Sequence, residues 1–238
     1  MTKPAKNSIE LSARPLVVGT VHSSASFPLA RRMRLSEVDL LELRVDAFAA
    51  SPEPLLKLAP KLRVPLIVTV RHPRECGAGH LTARRRRELF EQFLPHAAAI
   101  DIELRSAREL AKVAEAAREK GIRVILSHHD FQRTPGAKTL LELSKRAADA
   151  GADIFKVAAT ASSPRELAAL LEFMGSEDRL PLSAMAMGRY GKISRLLLAA
   201  CGSVLNYGYL DTANASGQWP ALLLKKRIAE VLLPRGAA

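Results

Sequence analysis

Eight short runs of apolar and β-branched residues recur along this chain, each followed by a segment whose apolar positions have helical spacing. They are PLVVGTV at 15, LLELRVD at 40, PLIVTVR at 65, AAIDIEL at 98, IRVILSHHD at 122, ADIFKVA at 152, LPLSAMAM at 180 and SVLNYGY at 203. Most are apolar on both faces, as parallel strands covered by helices must be, and their middles lie about 20 to 35 residues apart, enough for a βαβ crossover. Punctuation agrees. Ser163, Pro164 and Glu166 read as a capping box with proline at the first helical position, Ser106 and Glu109 read as another, and Gly121 and Gly151 stand where helices should stop. No proline- or serine-rich linker divides the 238 residues. The pattern predicts an α/β chain folded as a single (β/α)8 TIM barrel over residues 1–238. A doubly wound open sheet is the alternative, weakened because no GxGxxG or GxxxxGK[ST] loop follows the first strand.

Composition excludes several other classes. With 48% hydrophobic residues the chain can bury a sizeable core. The first 14 residues hold no apolar run long enough for a signal peptide, and LLLAAC at 196–201 is far too short to cross a bilayer, so no membrane partner and a cytoplasmic location are expected. Cys76 and Cys201 lie outside any CxxC or Cys/His cluster, which gives neither a disulfide framework nor a zinc pattern and leaves two free thiols.

A formal charge of +12 raises the question of an acidic macromolecular partner. The densest basic run, Arg84 to Arg87, opens a segment with Leu89, Phe90, Phe93 and Leu94, and reads as the polar first turns of an amphipathic helix. Three tyrosines and one tryptophan make a poor stacking surface for single strands. A solvated basic surface that attracts small anions is preferred to nucleic-acid binding.

In a barrel of this kind chemistry sits at the C-terminal ends of the strands, and polar residues gather there. Glu42, Arg44 and Asp46 follow at period two; Arg71 ends the third strand with Glu75 just after; Asp101 and Glu103 share a face of the fourth. The fifth runs into His128, His129 and Asp130, of which only one histidine can face inward. Met185 and Met187 close the seventh, ahead of Arg195, and the loop NASGQ ends at Gln218. Glu42, Arg44 and Asp46 alone are equally a mouth ion-pair network, and HHD lacks a third ligand at a metal-binding spacing.

Lys156, set in ADIFKVA, is the odd residue. It is either a structural lysine paired with Glu42 or Glu103, or a nucleophile. Burial and neighbouring arginines both disfavour its ammonium form, and a neutral lysine attacks carbonyl carbon to give a Schiff base that acidifies the adjacent C–H. A histidine within reach can take that proton and later return it to a leaving group.

Seven ordered stretches complete the picture: ELRVD at 42–46, VR with RECG over 70–77, IDIEL at 100–104, SHHDF at 127–131, ADIFKVA at 152–158, MAMGRYGKISR at 185–195 and ASGQ at 215–218. In order and approximate spacing they resemble the type I 3-dehydroquinate dehydratases of the shikimate pathway. The resemblance implies a Schiff base on Lys156, with His129 as general acid and base oriented by Glu75. It implies ring-hydroxyl contacts from Glu42, Arg44 and Arg71, a bidentate fork from Arg195 to the substrate carboxylate, and Gln218 reaching in from the last loop. Met185, Met187 and Tyr207 would wall the pocket, and Asp101 and Glu103 would support it. No metal or organic cofactor is implied, the substrate is a small anion, and a homodimer is expected. One departure stands out: Asn214, Ala215 and Ser216 replace the family's serine, alanine and proline, so the lid contact passes to Asn214 or to Ser216. A Schiff-base aldolase on a similar barrel is the competing enzyme class, kept open by the glycines of GRYGKISR; a basic RNA-binding barrel is the competing non-enzyme.

Overall fold

The computed structural model describes Ile9 and residues 14–232; most of the N-terminal stretch read above for a signal peptide lies outside the described residues. All eight apolar runs become strands: β1 (Leu16–Val21), β2 (Leu40–Arg44), β3 (Leu66–Thr69), β4 (Ala99–Glu103), β5 (Arg123–Asp130), β6 (Ile154–Thr160), β7 (Leu182–Met187) and β8 (Leu205–Tyr209). Between and after them run α1 (Phe27–Arg32), α2 (Glu53–Leu58), α3 (Ala83–Phe93), α4 (Ala111–Glu119), α5 (Ala137–Asp149), α6 (Pro164–Ser176), α7 (Gly191–Ala200) and α8 (Ala221–Val231). The strands pair in parallel in the order β7-β6-β5-β4-β3-β2-β1-β8, a (β/α)8 barrel closed but for one seam.

That seam lies between β7 and β8, where side chains do part of what a backbone ladder does elsewhere. The Val204 amide donates to the Leu182 carbonyl at 2.8 Å, the Ser183 hydroxyl donates to the Leu205 carbonyl at 2.7 Å, and the Ala184 amide donates to the Ser203 hydroxyl at 3.1 Å. Backbone groups left without a ladder partner are thereby satisfied.

Alternation along each strand sorts the side chains into two cores. Outward residues such as Leu41, Leu43, Val68, Ile102, Leu126 and Phe155 pack under the helices. Inward residues at the strand starts, Leu16, Leu40, Ile67, Ile125, Ile154 and Leu205, plug the barrel floor. Each such aliphatic side chain contributes about 1.5–3 kcal/mol by leaving water. Nearer the strand ends the inward positions turn polar, and register aligns them: Thr20 beside Glu42, Thr69 beside Asp101, Glu103 beside Ser127, and Ser127 beside Lys156.

Gly121 and Gly151 take φ of +69° and +76° where α4 and α5 end, and Ser163 with Glu166 forms the expected capping box ahead of Pro164. Two expectations are corrected. Ser106 caps nothing: it lies in a 3-10 turn, α4 starts only at Ala111, and its hydroxyl instead accepts from Arg86 at 3.0 Å. Arg86 is not on the polar face of its helix but fully buried, because it sits three, four and seven positions before Leu89, Phe90 and Phe93 on the inward stripe.

Candidate active site

Lys156 points into the barrel from β6, 4% exposed, and its Nζ lies 2.7 Å from Asp101 Oδ2. The partner is therefore neither Glu42 nor Glu103. Asp101 Oδ1 accepts from the Ser127 hydroxyl at 2.6 Å and from Arg71 Nη1 at 3.0 Å. Arg71 Nη1 also donates to Glu103 Oε1 at 3.0 Å, and the other Glu103 oxygen is held in a close contact by Arg86 Nη2. Five buried charges thus alternate in sign from Arg86 through Glu103, Arg71 and Asp101 to Lys156. Burial opposes ionisation of Asp101, but Arg71 and Lys156 overcome it and hold the carboxyl well below the usual carboxylate range. The same carboxylates, against burial, hold the Arg71 guanidinium firmly charged.

His129 enters the pocket from β5 while His128 points away, as strand alternation requires. Its Nδ1 lies 2.8 Å from Glu75 Oε2, which leaves Nε2 without a protein partner among the described residues. Burial, reinforced by Arg71 and Lys156, pushes the imidazole well below its ordinary value; burial, reinforced by Glu103, pushes Glu75 up to about 7. With Nδ1–H donated to Glu75, Nε2 is a free base facing the pocket. Glu75 reaches this place through a sharp turn. Cys76 adopts a left-handed φ of 58°, and a Cβ on Gly77 would stand 2.2 Å from the Arg71 carbonyl oxygen, so only glycine closes the turn.

Glu42 is not part of an ion-pair network with Arg44 and Asp46. Its oxygens accept from the hydroxyls of Thr20 at 3.2 Å and Thr69 at 2.9 Å, while Arg44 forms a two-pronged pair with Asp46 at 3.0 and 2.8 Å. Thr20, Glu42, Arg44 and Arg71 all line the pocket, and Met185, Met187 and Tyr207 complete its wall from β7 and β8. Thr20, left out of the expected site because the first strand resembles the family only loosely, stands at the end of β1 in register with Glu42. Ser127, opposite Lys156, is likewise not among the expected site residues.

Arg195, on α7, is 1% exposed and sewn into the open seam: Nε donates to the Tyr207 carbonyl of β8 at 2.8 Å and Nη1 to the Ala186 carbonyl of β7 at 3.0 Å. Nη1 also reaches the carbonyls of Gly191 and Gly217. No carboxylate among the described residues partners it, and burial alone lowers it to about 10. A buried cation bonded only to carbonyls, with Nη2 unused, is a ready anion receptor. The loop after β8 closes over it. Gly217, at φ +77°, approaches Gly191 so nearly that a Cβ would stand 2.7 Å from the Gly191 Cα. Gln218 folds its side-chain oxygen back onto the amides of Asn214 and Ala215 at 3.0 and 3.4 Å, and Asn214, Ala215 and Gln218 all line the pocket. The Ser216 hydroxyl is absent from that lining; it accepts from the Gly188 amide at 3.0 Å and ties the loop to the end of β7. Of the two, Asn214 and not Ser216 lines the pocket.

Among the described residues there is no group of three or more His, Cys, Asp or Glu side chains able to hold a metal ion, and no helix long and apolar enough to cross a membrane. Cys76 and Cys201 are free and exposed. The arrangement offers a buried amine, a free imidazole base, an unpaired guanidinium and a rim of hydroxyl-binding groups.

Comparison with known proteins points the same way. The family model for type I 3-dehydroquinase matches residues 17–229. The chain is 38% identical over 202 residues to the 3-dehydroquinate dehydratase of Latilactobacillus sakei, covering 79% of this chain and 81% of that one. It is 29% identical over 208 residues to the catabolic 3-dehydroquinate dehydratase of Acinetobacter baylyi, covering 82% and 76%. Among solved structures, 3-dehydroquinate dehydratase from Geobacillus kaustophilus superposes with a TM-score of 0.83 at 29% identity, covering 92% of this chain and 91% of that one.

Proposed function

The chain belongs to the type I 3-dehydroquinase family, and from that premise we propose that it dehydrates 3-dehydroquinate to 3-dehydroshikimate through a Schiff base on Lys156. The observation that carries the mechanism is the buried Lys156 amine opening into the same pocket as the His129–Glu75 pair and the carboxylate-free Arg195. Arg195 Nη2 receives the substrate carboxylate, which orients the ring. Glu42, Arg44 and the unused Arg71 donors take the ring hydroxyls, with Asn214 and Gln218 completing the enclosure from the closing loop and Met185 and Met187 flanking the ring.

Lys156 passes its ammonium proton to His129 Nε2 and attacks the C3 ketone; the carbinolamine hydroxyl takes that proton back and leaves as water, giving an iminium. The positive nitrogen acidifies C2, and His129 Nε2 removes a proton there to leave an enamine. The enamine expels the C1 hydroxyl, which takes the proton from His129 and departs as water. A second water then hydrolyses the iminium, releasing product and the amine. One base serves both transfers, so hydrogen and hydroxyl leave from the same face. Asp101 remains ionised throughout, steadying the cationic nitrogen.

Borohydride reduction tests this. In the presence of 3-dehydroquinate the expected result is a covalent adduct whose peptide map places the added mass on Lys156. A folded protein that turns over substrate yet yields no adduct overturns the Schiff base.

A further inference from the structure

Tyr207 stands on β8 inside the barrel, 3% exposed, with Lys156 Nζ 4.2 Å from its ring centroid. The ring does what any aromatic wall would do for a nearby ammonium or iminium. The hydroxyl needs its own account. It is buried, and no group among the described residues pairs with it, whereas a buried phenol ordinarily finds a partner. The two carboxylates that act on it, Glu42 and Asp101, already accept from other groups and do not pair with it. Both Glu42 oxygens accept from threonines, both Asp101 oxygens are held by Ser127, Arg71 and Lys156, and the backbone carbonyl of Tyr207 itself is held by Arg195. Burial, with Glu42 and Asp101 adding to it, pushes the phenol well above its ordinary value, so the group stays protonated and able to donate.

We propose that the Tyr207 hydroxyl donates a hydrogen bond to a ring hydroxyl of the bound substrate, which makes Tyr207 a specificity-determining residue and not only an apolar wall. The inference rests on the proposed function, since it takes the ligand to be a cyclic polyhydroxy keto acid seated on Lys156. The ligand's hydroxyl oxygen supplies an acceptor that no described residue gives this phenol. A phenylalanine would keep the ring and its contact with the nitrogen; only the donor would be lost.

The test is Tyr207→Phe, assayed with 3-dehydroquinate and with analogues lacking the C4 or the C5 hydroxyl, beside the borohydride adduct and thermal melting. Melting at or above the wild-type temperature is expected, with the Lys156 adduct retained. kcat/KM for 3-dehydroquinate should fall roughly ten-fold, the usual range for one lost neutral hydrogen bond. For the one analogue lacking the contacted hydroxyl, Tyr207→Phe and wild type should perform alike. Unchanged kcat/KM for the full substrate, or an equal loss on every analogue, overturns the contact and leaves the Schiff base standing. Failure of the adduct in wild type overturns the proposed function instead.

Discussion

Arg71 and Arg195 line one pocket with the same functional group, and almost everything else about them differs. Arg71 lies in the well-laddered part of the barrel, between two carboxylates that hold it charged; Arg195 lies at the open β7–β8 seam among carbonyls and is pulled down to about 10 by burial alone. A guanidinium already neutralised by protein carboxylates gains little from a further anion, while one that has only dipoles around it gains a great deal. The saturated side of the mouth therefore holds Lys156 in place, and the unsaturated side is the one that the proposed function gives to the ligand.

The most severe test of this contrast strikes the far end of the saturated side. Arg86→Met removes the outermost cation and leaves a Glu103 oxygen buried without it. Stability should fall by about 3–5 kcal/mol, the usual cost of taking one partner from a buried pair. Urea denaturation should give a lower midpoint at an unchanged slope. The folded fraction should keep kcat/KM within a few-fold, because Arg71 still holds Asp101. Full stability would mean that the five charges do not act as a unit.

On the unsaturated side the loss should appear in binding. Arg195→Lys keeps a positive charge but not the planar fork, and should lower kcat/KM by roughly 10²–10³-fold, chiefly through KM. The methyl ester of the substrate sharpens the point: wild type should prefer the acid strongly, and the variant should prefer it little. An undiminished preference in the variant would move the carboxylate site elsewhere in the pocket. Melting temperature should also drop, since Arg195 supplies donors that join β7 to β8.

Much of this architecture is legible in the sequence, and what is not has a physical reason. The eight strands are legible because parallel strands buried on both faces must be continuous apolar runs. Lys156 and His129 are legible because a polar side chain late in such a run is costly to bury unless it is paired or does chemistry. The partner of Lys156 is not, because Asp101 and Lys156 stand two strands apart with Ser127 between them, and only the sheet register brings them together. Arg86 is hidden by its three arginine neighbours, although its spacing to Leu89, Phe90 and Phe93 carries the signal. The seam role of Arg195 depends on which strand pair fails to close, and no local pattern in the sequence encodes that.

Glu75→Gln gives the smallest expected effect and joins the two sides, since Glu75 feels both Glu103 and Arg71. Loss of the group that orients His129 should lower kcat by about 10–100-fold, less than loss of the base itself. Its signature is in stability against pH. The folded-state value of Glu75 is raised from 4.5 to about 7, so between those limits the folded state holds a proton that the unfolded state has released, and this group makes stability fall as pH rises. His129 is lowered from 6.5, so below that pH the unfolded state holds the extra proton, and this group makes stability rise with pH. In wild type the two slopes oppose each other between about pH 4.5 and 6.5. Glutamine removes only the first, so the variant should gain stability with pH more steeply than wild type across that window, as followed by urea midpoints at half-unit steps. Parallel curves would show that Glu75 titrates at an ordinary carboxylate value, and that burial beside Glu103 does not hold its proton.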